Sequence, residues 1–144
     1  MGAETIVHGY IILHPSRRSD NTQAFSQFCF DEVYPFANTF SEIRPGYAGD
    51  VVSFAGSFKS LHEEWDEWTA RFETLLSRLH GRSAHVQLEH ETDGIIRSIG
   101  YLCRTGWDPS KSLSEKAWVK WLYETERRAS SEMQVRGGDE DGEE

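Results

Sequence analysis

Seven large apolar side chains, Leu61, Trp65, Trp68, Phe72, Leu75, Leu76 and Leu79, recur at three- and four-residue steps, and no other pattern in the chain restricts the fold as strongly. The spacing puts them on one face of a helix, and a stripe this wide has to be covered by a second layer. Ser60 stands where an N-cap hydroxyl is wanted, Glu63 is placed to reach back to it, and Gly81 supplies the stop. Glu63, Glu64, Asp66 and Glu67 crowd the first turns while Arg71, Arg78 and Arg82 follow, a distribution that complements the helix dipole.

The covering layer reads as strands. Thr5 to Leu13 is rich in β-branched and aromatic residues with apolar side chains on both parities, the pattern of an inner strand covered on both faces, and His14-Pro15 ends it. Ala84 to Glu91 and Ile95 to Arg104 both alternate, and Thr92-Asp93-Gly94-Ile95 suits a two-residue type I′ turn between them. That turn sets Leu88 opposite Ile99 and Val86 opposite Tyr101 on a core face, leaving His85, Gln87, Glu89 and Glu91 with Ser98 and Gly100 on a polar one.

Between these elements, Asp20 and Gln23 form an N-cap pair for a helix carrying Phe25, Phe28, Cys29, Val33 and Phe36, which Pro35 ends or kinks. Phe40 to Arg44 and Val51 to Lys59 read as a hairpin with a long turn, and Gly56 suggests a bulge or a close backbone approach. After a loop from Gly106 to Ser112, Ser112 and Glu115 cap a third helix with Ala117, Trp118, Trp121, Leu122 and Thr125 on one side. Lys116, Lys120, Glu124 and Arg128 form its solvated stripe.

The expected order is therefore β-α-β-β-α-β-β-α. Its first six elements follow the split βαβ plan of ferredoxin-like α+β folds, with an extra strand and a C-terminal helix, both long helices lying on one face of an antiparallel sheet. With 144 residues, 38% of them hydrophobic, the chain suits one domain, over residues 1–129, followed by an acidic tail over 130–144 that is expected to be disordered.

Fifteen Lys plus Arg stand against twenty-four Asp plus Glu, and the formal net charge of −9 argues against direct nucleic-acid binding and for a basic partner. No apolar run is long enough to span a bilayer and no signal-peptide pattern opens the chain, so a cytoplasmic location is expected. Cys29 and Cys103 both fall in apolar patterns and are expected as buried thiols, not as a disulfide.

The six histidines are scattered. His62-Glu63 begins like a metalloprotease helix, but Asp66 stands where the second histidine is needed. Alternation sends His90 to the face opposite His85 and Glu89, which defeats that cluster as a metal site. Glycine loops lack phosphate-binding spacing, so neither a metal nor a cofactor is implied. An acid-base pair remains conceivable where His85 and Glu89 meet His8 or His14 across the polar sheet face.

Trp65, Trp68, Trp118 and Trp121 sit at helical spacing and read as packing, whereas Trp107, in a loop, fits no periodicity and is the better partner anchor. Glu63, Glu64 and Glu67 are the candidate acidic contacts. In size, charge and lack of catalytic spacing the chain resembles bacterial toxin-immunity and inhibitor proteins, although no motif carries that likeness. The reading is an acidic protein-binding module that blocks a basic partner. The alternative is a small-ligand binder or enzyme using the polar sheet face.

Overall fold

The computed structural model describes residues 4–90, 94–104 and 117–128, with residues 95 and 121–128 described by backbone alone. The elements in chain order are β1 (Glu4–Leu13), α1 (Arg18–Gln27), β2 (Asp50–Lys59), α2 (Trp65–Leu76), β3 (Gly81–His90), β4 (Ile95–Cys103) and β5 (Trp118–Arg128). The strands form one five-stranded sheet in the order β2-β1-β3-β4-β5, every neighbouring pair antiparallel. The protein is thus an α+β fold. Among the described residues no helix is long and apolar enough to cross a membrane.

Alternation along β1 sends Thr5, Val7, Ile11 and Leu13 into the core. They meet Val52 and Phe54 of β2, Ala84, Val86 and Leu88 of β3, and Ile99 and Tyr101 of β4. The α2 stripe closes this layer from above: Trp65 stacks on Trp68 at 5.3 Å between ring centroids, and Trp68 on Phe72 at 5.1 Å. Gly9 sits where the core-facing row would otherwise carry a side chain. A Cβ there would collide with the His85 carbonyl and come within 2.7 Å of the Phe54 ring, so only glycine admits that ring against the strand.

Both described helices lie on the core side, and among the described residues nothing covers the other face. β1 is therefore central in hydrogen bonding but covered on one side, not both: Tyr10 is 44% exposed, and Ile6 and Ile12 are half-buried. The β3–β4 pair keeps its expected core and polar faces, with a different register. His90 pairs with Ile95 and Val86 with Ile99, two residues away from the expected pairing. A slip of two preserves which face each side chain takes. The connection is longer than a two-residue turn, and Gly94, at φ +66°, donates its N–H to the His90 carbonyl at 2.9 Å.

The expected third helix is a strand. Trp118 to Arg128 pairs along β4 with register shifts around Gly100. Trp118, Trp121, Leu122 and Thr125 match helical spacing, but the segment is also rich in aromatic and β-branched residues, and the open edge of β4 decides in favour of a ladder. The ferredoxin-like plan is met halfway. β2 and β3 run parallel with β1 between them and α2 as the crossover, one split βαβ unit. The second unit does not form, because α1 leads into β2, the antiparallel neighbour of β1 itself.

Helix α1 starts and stops earlier than its apolar spacing suggests. Pro15 opens a 3-10 turn that runs directly into Arg18, so Asp20 lies inside the first turn and pairs with Arg17 at 2.6 Å instead of capping. At Phe28 the backbone turns extended, and the segment to Phe36 packs its phenylalanines across α2, held by Arg71, which binds the Asp31 carboxylate at 3.0 Å and the Cys29 carbonyl at 2.8 Å. Cys29 and Val33 are consequently exposed, Cys103 is buried, and no disulfide joins the two thiols.

Ser60 does not cap α2. It adopts φ +66°, with its carbonyl accepting Glu63 N–H at 3.1 Å, and a 3-10 turn over Leu61–Glu64 precedes the helix. The helix ends at Leu76, and Gly81 opens β3 instead of acting as the stop. Gly56 makes no bulge, since the β1–β2 register runs unbroken past it. The expected hairpin reduces to a strap: residues 40–44 touch the outer edge of β2 through isolated antiparallel bridges, Phe40 to Phe54 and Arg44 to Val51.

Candidate functional site

The turn before α2 concentrates carboxylates without cations. Glu63 and Glu67 are exposed and Glu64 half-buried, a placement dictated by Leu61, Trp65 and Trp68 turning the other side of the helix into the core. Several acids elsewhere are matched by a basic side chain: Asp20 by Arg17, Asp31 by Arg71, Asp50 by Arg18, Glu73 by Lys120, Glu89 by His8. Among the described residues no Lys or Arg pairs with Glu63, Glu64 or Glu67, and Glu63 lies 3.8 Å from His62 Nε2. The neighbouring Glu67 carboxyl first, then partial burial and the charge of Glu63, raise the Glu64 pKa above the ordinary carboxylate value.

Tyr34 stands beside this group, donating its hydroxyl to the Ser60 carbonyl at 3.0 Å. Burial, and then the fields of Glu64, Glu63 and Glu67, raise its phenol pKa. Its neighbour Val33 is 70% exposed. The tyrosine was not a sequence candidate, because only the tertiary path of residues 28–36 over α2 brings it here. Trp107 lies outside the described residues, as do Ser112, Glu115 and the tail beyond 128, so neither the proposed helix cap nor the tail is described. Trp65 and Trp68 are core residues, as their spacing indicates, and Trp118 donates its indole N–H to the Leu79 carbonyl at 3.1 Å.

The uncovered sheet face gathers a second polar set. His8 Nε2 lies 2.8 Å from Glu89 Oε2, which also accepts the Gln87 amide at 3.1 Å. Register explains the meeting: His8 sits opposite Gln87 on the neighbouring strand, one step from Glu89 on the same face. His85 does not join them, for it stacks on Tyr10 at 6.0 Å and is roughly 13 Å from Glu89 along the strand. His14 is buried at the end of β1. His90, on the opposite face as alternation requires, stacks on His62 at 4.1 Å. Among the described residues no group of three metal-ligating side chains converges.

These features define an α+β protein with a five-stranded antiparallel sheet, one open face and an acidic shoulder. Comparison with protein-family models, with curated proteins and with solved structures finds no match.

Proposed function

We propose that the protein is a binding module whose acidic shoulder docks a basic protein partner, acting as an inhibitor of the immunity-protein kind. One observation carries the reading: Glu63, Glu64 and Glu67 crowd the start of one helix, two of them exposed, with no Lys or Arg among the described residues to relieve them. A cationic side chain from outside would supply what the fold leaves out, and complementary charge of this sort speeds encounter. Exposed Val33 and Tyr34 give the same surface an apolar contact able to lengthen the life of the complex.

The test has two steps. Proteins retained by the full chain at low salt and released by raised salt are identified, and the association rate of the main partner is then measured for the wild type and for Glu63, Glu64 and Glu67 changed together to Lys. A fall of roughly tenfold or more in the rate, with a shallower salt dependence, is expected. Equal rates would remove this surface as the docking site.

A second reading rests on the His8–Glu89 contact, an acid-base pair open to solvent on the sheet face. It predicts a small molecule whose binding His8→Gln abolishes. An unchanged affinity in that variant would dispose of it.

A further inference from the structure

A cleft of about 460 Å³ opens between α1 and the strap, lined by none of the residues of the acidic shoulder or the open sheet face. Its size falls in the range that holds small organic ligands. Phe25, Phe30, Phe40 and Ile43 line its apolar part, with Phe40 5.9 Å from Phe25 and 5.5 Å from Phe30 between ring centroids.

The cleft is polar at one end and apolar at the other, and the direction follows from helix geometry. Arg18, Thr22 and Ser26 succeed one another at four-residue steps on the α1 face that lines it, with Phe25 beside Ser26. The first turn of α1 therefore offers the cation and the third offers the ring.

Arg18 is held in place from behind. The buried Asp50 carboxylate, 1% exposed, takes Nε–H at 2.8 Å and Nη2–H at 2.6 Å, a bidentate grip on one edge of the guanidinium. The other edge, Nη1 with the second Nη2 proton, makes no hydrogen bond to any described residue, and the side chain is 49% exposed. A guanidinium fixed on one edge and open on the other can receive a second planar oxyanion. The Thr22 hydroxyl one turn along, also without a described partner, is a further donor, and the positive end of the α1 dipole lies at the same place.

We propose that this cleft binds a small monocarboxylate with an aromatic or short aliphatic body. The carboxylate sits on the open edge of Arg18 near Thr22, and the body lies against Phe25, Phe30 and Phe40. Glu42 on the opposite rim adds a negative charge, which disfavours a second anionic group on the ligand and weakens binding of the first.

The experiment follows backbone amide shifts of the full chain during titration with hydrocinnamate, with its neutral amide, and with phenylpropylamine. Hydrocinnamate is expected to give saturable shifts at Thr22, Ser26, Ser41 and Glu42 with a Kd at or below about 1 mM, and both other compounds should bind at least about fivefold more weakly. Ser26→Trp, on an exposed helix position, fills the mouth and abolishes the shifts, while Glu42→Gln tightens hydrocinnamate roughly threefold by removing a like charge. No saturable shift with hydrocinnamate, equal binding of the amide, or tighter binding of the amine would each overturn the proposal. Those comparisons need only the wild-type chain.

Discussion

Asn21, fully buried on α1, donates its Nδ2–H to the His80 carbonyl at 3.0 Å and accepts the His80 N–H at Oδ1 at 2.8 Å. The same carbonyl also takes the His14 N–H at 3.0 Å, so three chain segments meet at one peptide group. Asn21→Ala leaves the His80 N–H buried without an acceptor, and a loss of about 2–3 kcal/mol in urea unfolding is expected. A loss under about 0.5 kcal/mol would mean that the clamp contributes nothing to stability.

His80 gives the fold an acid sensitivity. Burial, and next the charge of Arg17, hold its imidazole below the ordinary 6.5, with Asp20 opposing in part. The unfolded chain therefore takes up a proton near 6.5 that the folded chain refuses. Stability from this group is complete above 6.5 and is lost as pH falls through the folded value. The urea midpoint should drop between about pH 7.5 and pH 5.5, and His80→Gln should flatten that part of the profile.

Glu64 works in the opposite direction. Its folded pKa is raised above the ordinary 4.5, chiefly by the neighbouring Glu67 carboxyl, so its stabilising contribution is present below 4.5 and lost as pH rises through the folded value. Glu64→Gln should accordingly raise the thermal midpoint at neutral pH, and the gain should disappear in acid. A variant that is equally stabilised at both pH values would contradict the carboxyl pairing.

Ser60 occupies a left-handed conformation at φ +66°, in a place where no side chain gains from it. Glycine relieves a cost of about 1–2 kcal/mol there and gives back about 0.5–1 kcal/mol in unfolded-chain freedom. Ser60→Gly should thus be slightly stabilising and Ser60→Val clearly destabilising, as read from paired chemical denaturation curves.

Gly9 admits no side chain. Gly9→Ala drives a methyl into the His85 carbonyl and the Phe54 ring, and a loss of about 2 kcal/mol or more is expected, with broadening of the aromatic resonances around Phe54. A variant as stable as the wild type would show that the strand and ring separate freely.

What could be read from residues was whatever repeats locally. The stripe from Leu61 to Leu79 and the faces of Val86, Leu88, Ile99 and Tyr101 follow from period alone, and they landed in the core. The local pattern of Trp118, Trp121, Leu122 and Thr125 points to a helix, and the choice of strand is made by a distant partner, the open edge of β4. Helix α1 was misjudged at its end because Arg71, far along the chain, draws residues 28–31 off the helical path. The acids at Glu63, Glu64 and Glu67 were visible, but Tyr34 beside them was not, since tertiary folding alone makes them neighbours.

The strap leaves its own signature at the border of the sheet. It satisfies the outward amide and carbonyl groups of Val51, and Ser41 does the same for Ser53, but alternation leaves those of Ala55 and Ser57 unclaimed among the described residues. Such a stretch is a template for aggregation through strand pairing between molecules. Lys59, exposed at its end, works against one mode of such growth: a second copy stacked in parallel and in register would bring like ammonium groups side by side, and their repulsion disfavours it.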